Sequence, residues 1–251
     1  MARHSHWASI KHKKGALDAK RGKLFSKLAK HIMTAARHGG GDPEMNLRLR
    51  YAIDKARAAS MPRDNIERAV KKGAGELEGE ELVETTYEGY GPGGVAVVLD
   101  ILTDNKNRTA GDVRRSFELH GGKLSGPNTA ARMFEKKGLF SLDASAAGED
   151  QVLEIALDAG AEDMEKVGNE YEITCAPQDF EKVRKALEAR GLKPTSAELG
   201  MVPLSLVPLS QDVGRRILAL MEELEDHEDV QNVYANFTLP PELLAEAQAA
   251  G

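Results

Sequence analysis

The hydrophobic pattern of the chain changes its period at residues 73–82, and this change constrains the fold more than any other feature. Before it, apolar residues recur every three or four positions, which is the spacing of helices that bury one face. After it, short apolar runs alternate with helical segments, a pattern typical of α/β sandwiches. The segment itself, GAGELEGEEL, has the composition of a linker. The sequence therefore predicts a helical N-terminal domain followed by mixed α/β domains.

Three helices are predicted before this linker. The first covers residues 18–37, and the glycines at 39–41 end it. Asp42-Pro43-Glu44 has the N-cap, N1 and first-turn residues of a second helix. The inner face of the second helix is expected to contain Met45, Leu49, Ala52, Ile53 and Ala56. Pro62 is expected to open the third helix and Gly73 to end it.

The order of strands and helices after the linker predicts two sandwiches. The first set of predicted elements comprises strands at 83–90 and 95–102, a helix at 107–120 and a short strand at 132–136. From residue 138 to residue 202 the order becomes strand-helix-strand-strand-helix-strand, the ferredoxin-like arrangement. A last helix and strand, between residues 211 and 237, supply the pair that the first set lacks.

We therefore predict an α+β protein with an N-terminal helical bundle followed by two ferredoxin-like α/β sandwich domains, the third domain inserted in the second. The predicted domain limits are residues 1–78 for the basic helical domain, 79–137 with 206–240 for the middle domain, 138–205 for the inserted domain and 241–251 for a C-terminal tail.

Charge is divided unevenly along the chain. Residues 1–72 hold 18 Lys and Arg against 6 Asp and Glu, a net charge of +12, although the whole chain carries −6. Such asymmetry favours a polyanionic partner for the basic segment. The other interpretation is a solvated charged face, which many helices have. We favour the first interpretation because the cations are densest in the arm before the first helix, where there is no core to join.

The arm also contains the chain's one tryptophan, Trp7. Lys and Arg neutralise phosphates with release of counterions, and a Trp ring can stack on an unpaired base. A histidine such as His12 can add a hydrogen bond to a phosphate. The residues predicted to contact nucleic acid are Trp7, Lys11, His12, Lys13, Lys14, Lys20, Arg21, Lys23, Lys27 and Lys30.

Two short motifs have a structural and a functional interpretation. GYGPGG, residues 89–94, matches the dinucleotide fingerprint formally, but a strand follows it where the fingerprint needs a helix, which favours a turn between strands. TDNKNRT, residues 103–109, could hold a phosphate at a helix N-terminus. Helix capping is the simpler interpretation, and we favour it because capping residues are needed there whatever the function.

Catalytic and metal-binding patterns are weak. The chain has no nucleophile elbow, Walker loop or paired-cysteine zinc spacing, so we predict no enzyme activity, no cofactor and no small-molecule substrate. His4, His6 and His12 suggest a metal, but Lys residues surround them and the first carboxylate is at Asp18, so no metal site is predicted.

Location and assembly are predicted from smaller signals. A single cysteine fits a reducing compartment, and the N-terminus has positive charge without an apolar signal region. The most apolar run, residues 95–102, is too short to span a bilayer. We expect a cytoplasmic protein that does not bind membranes. Because no coiled-coil seam is present, we expect a monomer.

Four segments carry a resemblance to a known family. They are HSHWASIKHKKGALDAKRGKLFSKLAKHI, MPRDNIERAVKKG, YEGYGPGGVAV and LTDNKNRT. In length and order they resemble the signatures of the YebC/PmpR family of transcriptional regulatory proteins, with Arg3 and His6 in place of the usual Gly and Lys. The resemblance implies a three-domain, cytoplasmic, non-enzymatic protein. Members are described as DNA-binding regulators of transcription, and others as translation factors that act on stalled ribosomes.

The residues and the resemblance leave two functions open. A duplex-reading protein normally presents a recognition helix, and the second predicted helix has charges on two sides without a clear base-reading face. A basic arm with an aromatic residue suits RNA loops. The usual description of the family favours DNA. We expect a DNA-binding transcriptional regulator, and the alternative is a ribosome-associated factor that binds ribosomal RNA and relieves stalled synthesis.

Overall fold

The computed structural model describes residues 18–78 and 81–249, and the side chains of 21–78 and 81–246. The described chain forms two compact units. One comprises residues 18–131, 209–235 and 239–249, and the other comprises residues 132–208 and 236–238. The mixed α+β class that the sequence predicts is confirmed. The predicted domain limits stay predictions.

Helices and strands alternate along most of the described chain after an all-helical start. In chain order they are α1 (Asp18–Gly39), α2 (Leu47–Ala58), α3 (Arg63–Gly73), β1 (Val83–Tyr90), β2 (Ala96–Thr103), α4 (Lys106–Leu119), β3 (Lys123–Ser125), β4 (Phe134–Asp143), α5 (Glu149–Asp158), β5 (Ala161–Val167), β6 (Glu170–Cys175), α6 (Phe180–Ala189), β7 (Ser196–Pro203), β8 (Val207–Pro208), α7 (Gln211–Asp226), β9 (Val230–Ala235), β10 (Phe237–Thr238) and α8 (Pro241–Ala249). None of the described helices is long and apolar enough to cross a membrane.

The helices α1, α2 and α3 share one apolar core, with Ile32 and Leu49 fully buried in it. The predicted start of α2 was wrong. Asp42 and Pro43 belong to a turn, and Asn46 is the N-cap: its Oδ1 accepts from the backbone N–H of Leu49 at 3.0 Å. The Asn46 amide also donates to carbonyl oxygens at the end of α1, so one buried side chain caps α2 and fixes the α1–α2 connection.

Because α2 begins later than predicted, one residue expected on its inner face lies outside the helix. Met45 lies before the helix instead of on its inner face, and it is 85% exposed. The other predicted inner positions of α2 are buried or half-buried.

The first unit contains a four-stranded antiparallel sheet in the order β3-β1-β2-β9, against which α4 and α7 pack. The strand β9 pairs with β2, so the late strand completes a sheet begun more than a hundred residues earlier. The sheet differs from the predicted ferredoxin-like arrangement. The β1–β2 hairpin comes first in the chain and occupies the centre of the sheet, which leaves its edges to β3 and β9.

The second unit contains an antiparallel sheet in the order β5-β6-β4-β7, with the chain order of a split β-α-β arrangement. The strand predicted at 132–136 and the first strand of the arrangement predicted from residue 138 are one strand, β4. Gly138 lies inside this strand, and a Cβ there would lie 2.6 Å from Cys175 Sγ and 2.8 Å from Phe180 Cδ2. This glycine permits close packing and does not end a strand.

Candidate nucleic-acid interface

The structure describes the side chains of four of the predicted contact residues. The residues outside the described part of the chain are Trp7, Lys11, His12, Lys13 and Lys14, and Lys20 lies in α1 with its side chain undescribed. The four described side chains, all on α1, are Arg21, Lys23, Lys27 and Lys30. Arg21 is exposed to solvent.

Two of these lysines contact the C-terminal end of α7. Lys23 Nζ lies 3.5 Å from Asp226 Oδ2. Lys27 Nζ donates to the carbonyl oxygen of Glu225 in the last turn. Such carbonyls have no intrahelical donor, and the negative end of the helix dipole favours a cation there. The lysine stripe of α1 therefore packs in part against the acidic end of another helix in the same unit.

Lys30 belongs to a buried polar cluster centred on Asp229. The side chain of Asp229 is 4% exposed and that of Lys30 is 15% exposed, and Nζ lies 2.5 Å from Oδ1. Oδ2 accepts a hydrogen bond from Thr109 Oγ1 at 2.7 Å, and others from Thr103 Oγ1 and Arg108 Nη2 at 3.1 Å each. Burial alone would raise the pKa of Asp229, but these donors lower it far below its usual value.

The cluster gives Lys30 a structural role, because a buried carboxylate is stable only when it is paired and hydrogen-bonded. It joins α1 to the N-terminal end of α4. Lys30 was predicted to bind phosphate because it recurs at helical spacing with Lys20, Lys23 and Lys27 on α1. The signal that could have separated it is the acidic segment at 222–229, which offers carboxylates for a lysine face.

Cations that lack an ion pair within the described residues lie on α2 and α3, and all of them are exposed except Lys72, which is half-buried. The paired cations of these helices are Arg48 with Glu84, Arg57 with Asp54 and Arg63 with Glu67. Within the described part of the chain, Arg50, Arg68, Lys71 and Lys72 form no ion pair. The last three are spaced i, i+3 and i+4 on α3 and are neighbours on its surface. We call Arg68, Lys71 and Lys72 the α3 basic cluster.

A groove of about 500 Å³ runs beside this cluster, between α2 and α3. Its floor is apolar, formed by Ile53, Met61, Ile66 and Val70. The charged residues on its rim are Arg57, Arg63, Glu67, Lys71 and Glu76. Sequence reasoning missed this groove and did not include Lys71 or Lys72 among the predicted nucleic-acid contacts.

The two short motifs have the structural roles that we favoured. GYGPGG connects β1 to β2, and Gly93 adopts a φ of +76° that suits glycine. In TDNKNRT, Asn105 caps α4, with its Oδ1 accepting from the backbone N–H of Arg108 at 3.1 Å.

One serine and one histidine share a carboxylate in this unit. Ser116 Oγ donates to Glu223 Oε1 at 2.7 Å, and His120 Nε2 lies 2.7 Å from Glu223 Oε2. The hydrogen bond from Ser116, with help from His120, lowers the pKa of Glu223. A catalytic pair would need the histidine to accept from the serine itself. The geometry is that of a bridge between α4 and α7.

Two further observations concern metal binding and the reactivity of the one thiol. Among the described residues, no three His, Cys, Asp or Glu side chains are placed to hold a metal ion, and His4, His6 and His12 lie outside that part of the chain. Burial raises the pKa of the Cys175 thiol to about 11, so the reactive thiolate is scarce at neutral pH.

These features define a class of protein in which a basic helical segment is followed by acidic α/β sandwiches. The chain belongs to the TACO1/YebC family. The family's N-terminal domain matches residues 5–76, and its second and third domains match residues 82–237.

Similar proteins agree with this assignment. A relative from Natranaerobius thermophilus is 52% identical over 247 residues, covering 97% of this chain and 99% of its own. Relatives from Dictyoglomus turgidum and Treponema pallidum are 51% and 50% identical, each over 97% of this chain and 98% or more of their own. All three bear the name "probable transcriptional regulatory protein". A conserved hypothetical protein from Aquifex aeolicus has a solved structure with a TM-score of 0.87, 46% identity and coverage of 96% of this chain and 99% of that one.

Proposed function

We propose that this protein is a non-enzymatic, DNA-binding regulator of transcription that acts in the cytoplasm as a monomer. The observation that carries the proposal is the net charge of +12 in residues 1–72 of a chain whose total charge is −6. Such a basic segment neutralises phosphates and releases counterions. The names of the relatives support the regulatory part of the proposal.

The cations of residues 1–72 have two different roles in this proposal. Lys30 stabilises the fold through Asp229, whereas the arm and the α3 basic cluster supply cations for phosphates. The acidic remainder of the chain limits non-specific contact with other nucleic acids, because like charges repel.

The proposal is tested by crosslinking the protein to nucleic acid in cells and sequencing what is bound. Enrichment of a few promoter regions is the expected result. Recovery of ribosomal RNA would replace the transcriptional form by the alternative, a ribosome-associated translation factor. Recovery of neither class above the background of an untagged strain would contradict both.

A further inference from the structure

The groove between α2 and α3 has a floor suited to a flat apolar group. Ile53, Met61 and Ile66 are each 6% exposed and pack into the helical core, so the floor is held rigidly from below. Val70 is half-buried and completes it. A volume of about 500 Å³ lies in the range of small-ligand sites.

The rim of the groove carries three cations and two carboxylates, and it shares Lys71 with the α3 basic cluster. Arg63 is 89% exposed and its ion pair with Glu67, at 2.7 Å, is therefore weak and easily exchanged for a phosphate. Lys71 has no ion pair within the described residues, and Arg68 lies one turn before it. Glu67 and Glu76 are the two carboxylates on this rim.

An apolar floor bordered by Lys71, which forms no ion pair within the described residues, favours nucleic acid over an acidic peptide. A nucleic-acid strand carries a flat base and a phosphate on every unit, and Arg guanidinium planes stack on bases. The base must also be unpaired, because a base inside a duplex is stacked and cannot enter a groove between two helices. These requirements together specify a single strand, a loop or an extruded base.

We propose that this groove binds an unpaired nucleobase while Arg68 and Lys71 bind neighbouring phosphates of the same strand. The proposal rests on the proposed function, since it assumes that nucleic acid is the partner. It adds a second contact region to the arm and requires unpaired bases at the target.

Fluorescence anisotropy on the full-length protein tests the phosphate contacts. The probes are a labelled mixed-sequence single strand, prepared as RNA and as DNA, and the corresponding duplex. Arg68→Ala with Lys71→Ala should weaken binding to the single strand and lower the salt slope by about 1.4. The matched control, Lys185→Ala with Arg190→Ala, removes two exposed cations from the other unit and should change neither. Glu76→Gln should strengthen binding.

A probe with three central abasic positions tests the base contact. Because Trp7 is also predicted to stack on a base, this comparison is made in a Trp7→Ala background. There the abasic probe should bind about tenfold more weakly than the intact strand. Val70→Phe fills the groove and should reduce that difference to about twofold. Arg57→Ala, an exposed change on the same rim, should also reduce it and serves if Val70→Phe does not fold.

The outcomes separate the two proposals. A wild-type protein that binds none of the probes would overturn both. Binding that is unaffected by Arg68→Ala with Lys71→Ala, or an abasic loss equally large in Val70→Phe, would overturn the groove and leave the proposed function standing. Displacement of the strand by polyglutamate as readily as by unlabelled RNA would show an acidic peptide site instead.

Discussion

At the scale of single residues, Asp229 has the largest structural consequence. Its buried carboxylate receives donors from α1, from the end of β2 and from α4, so it joins elements that are distant in sequence. Lys30 is held by this buried carboxylate, whereas Lys23 forms an exposed ion pair with Asp226 at the end of α7. A lysine stripe on a helix is therefore not a single functional unit.

Lys30→Met is expected to lower stability and leave nucleic-acid affinity almost unchanged. It removes a partner from a buried charge, which costs about 3 kcal/mol in unfolding free energy. Urea denaturation and anisotropy on the same samples measure both quantities. A loss of affinity at full stability would return Lys30 to the binding surface.

Asp229→Asn is expected to reduce the dependence of stability on acid. The folded state holds the pKa of Asp229 below its value in the unfolded chain, so the unfolded chain takes up the proton first as pH falls. The contribution is present above about pH 4 and is lost progressively below it. Comparing unfolding free energies at pH 7 and pH 3 should give a smaller difference in the variant. An unchanged difference would show that other carboxylates carry the acid response.

Glu88 organises a loop in the same unit. Its side chain is buried, and its two oxygens accept backbone N–H groups of Asn128, Ala130 and Ala131 at 2.7–2.8 Å. Burial alone would raise the pKa of Glu88, but these donors lower it. Glu88→Gln replaces one acceptor by a donor, and we expect a loss of about 2 kcal/mol and faster amide exchange at residues 128–131. Unchanged exchange would contradict this role.

At the scale of elements, the hydrophobic period predicted the described helices except α8, which lies in the predicted C-terminal tail, and most strands, because burial of one face determines the period directly. It failed where a side-chain contact decides the outcome. Asn46 starts α2 because it satisfies groups at the end of α1, and that contact has no local signature. The prediction of two separate strands around Gly138 was wrong, because this glycine packs closely against Phe180 of a distant helix and a single sequence does not reveal that contact.

The candidate site shows the same limit. The charge asymmetry identified the basic segment, because the charge of a segment can be counted from the sequence without knowledge of the fold. The pairing of Lys30 with Asp229 joins residues some 200 positions apart, and the groove beside Lys71 depends on how α2 and α3 pack. One sequence reveals neither.

The packing of α3 on α1 depends on Gly73. A Cβ there would overlap the carbonyl oxygen of Met33, which is backbone and cannot turn away. Gly73→Ala should therefore destabilise the protein by about 2 kcal/mol. Gly22→Ala, at a position in α1 with nothing within 4 Å, should be neutral or stabilising. Urea midpoints that move equally for both variants would contradict the packing account.

At the scale of the whole molecule, the charge division is the central feature. The N-terminal third carries the positive charge and the remainder carries a larger negative charge, so one end attracts a polyanion and the other repels it. The account therefore predicts that affinity depends on salt through the N-terminal cations alone.

The most direct test is the salt dependence of binding to a single-stranded oligonucleotide, measured with the full-length protein. Lys11→Ala, Lys13→Ala and Lys14→Ala together should lower the slope of log affinity against log salt by about 2. The control triple Lys182→Ala, Lys185→Ala and Lys193→Ala removes the same charge from exposed positions of the second unit and should leave the slope unchanged. Equal slopes for wild type and the N-terminal triple would contradict the claim that this segment binds a sugar-phosphate polymer.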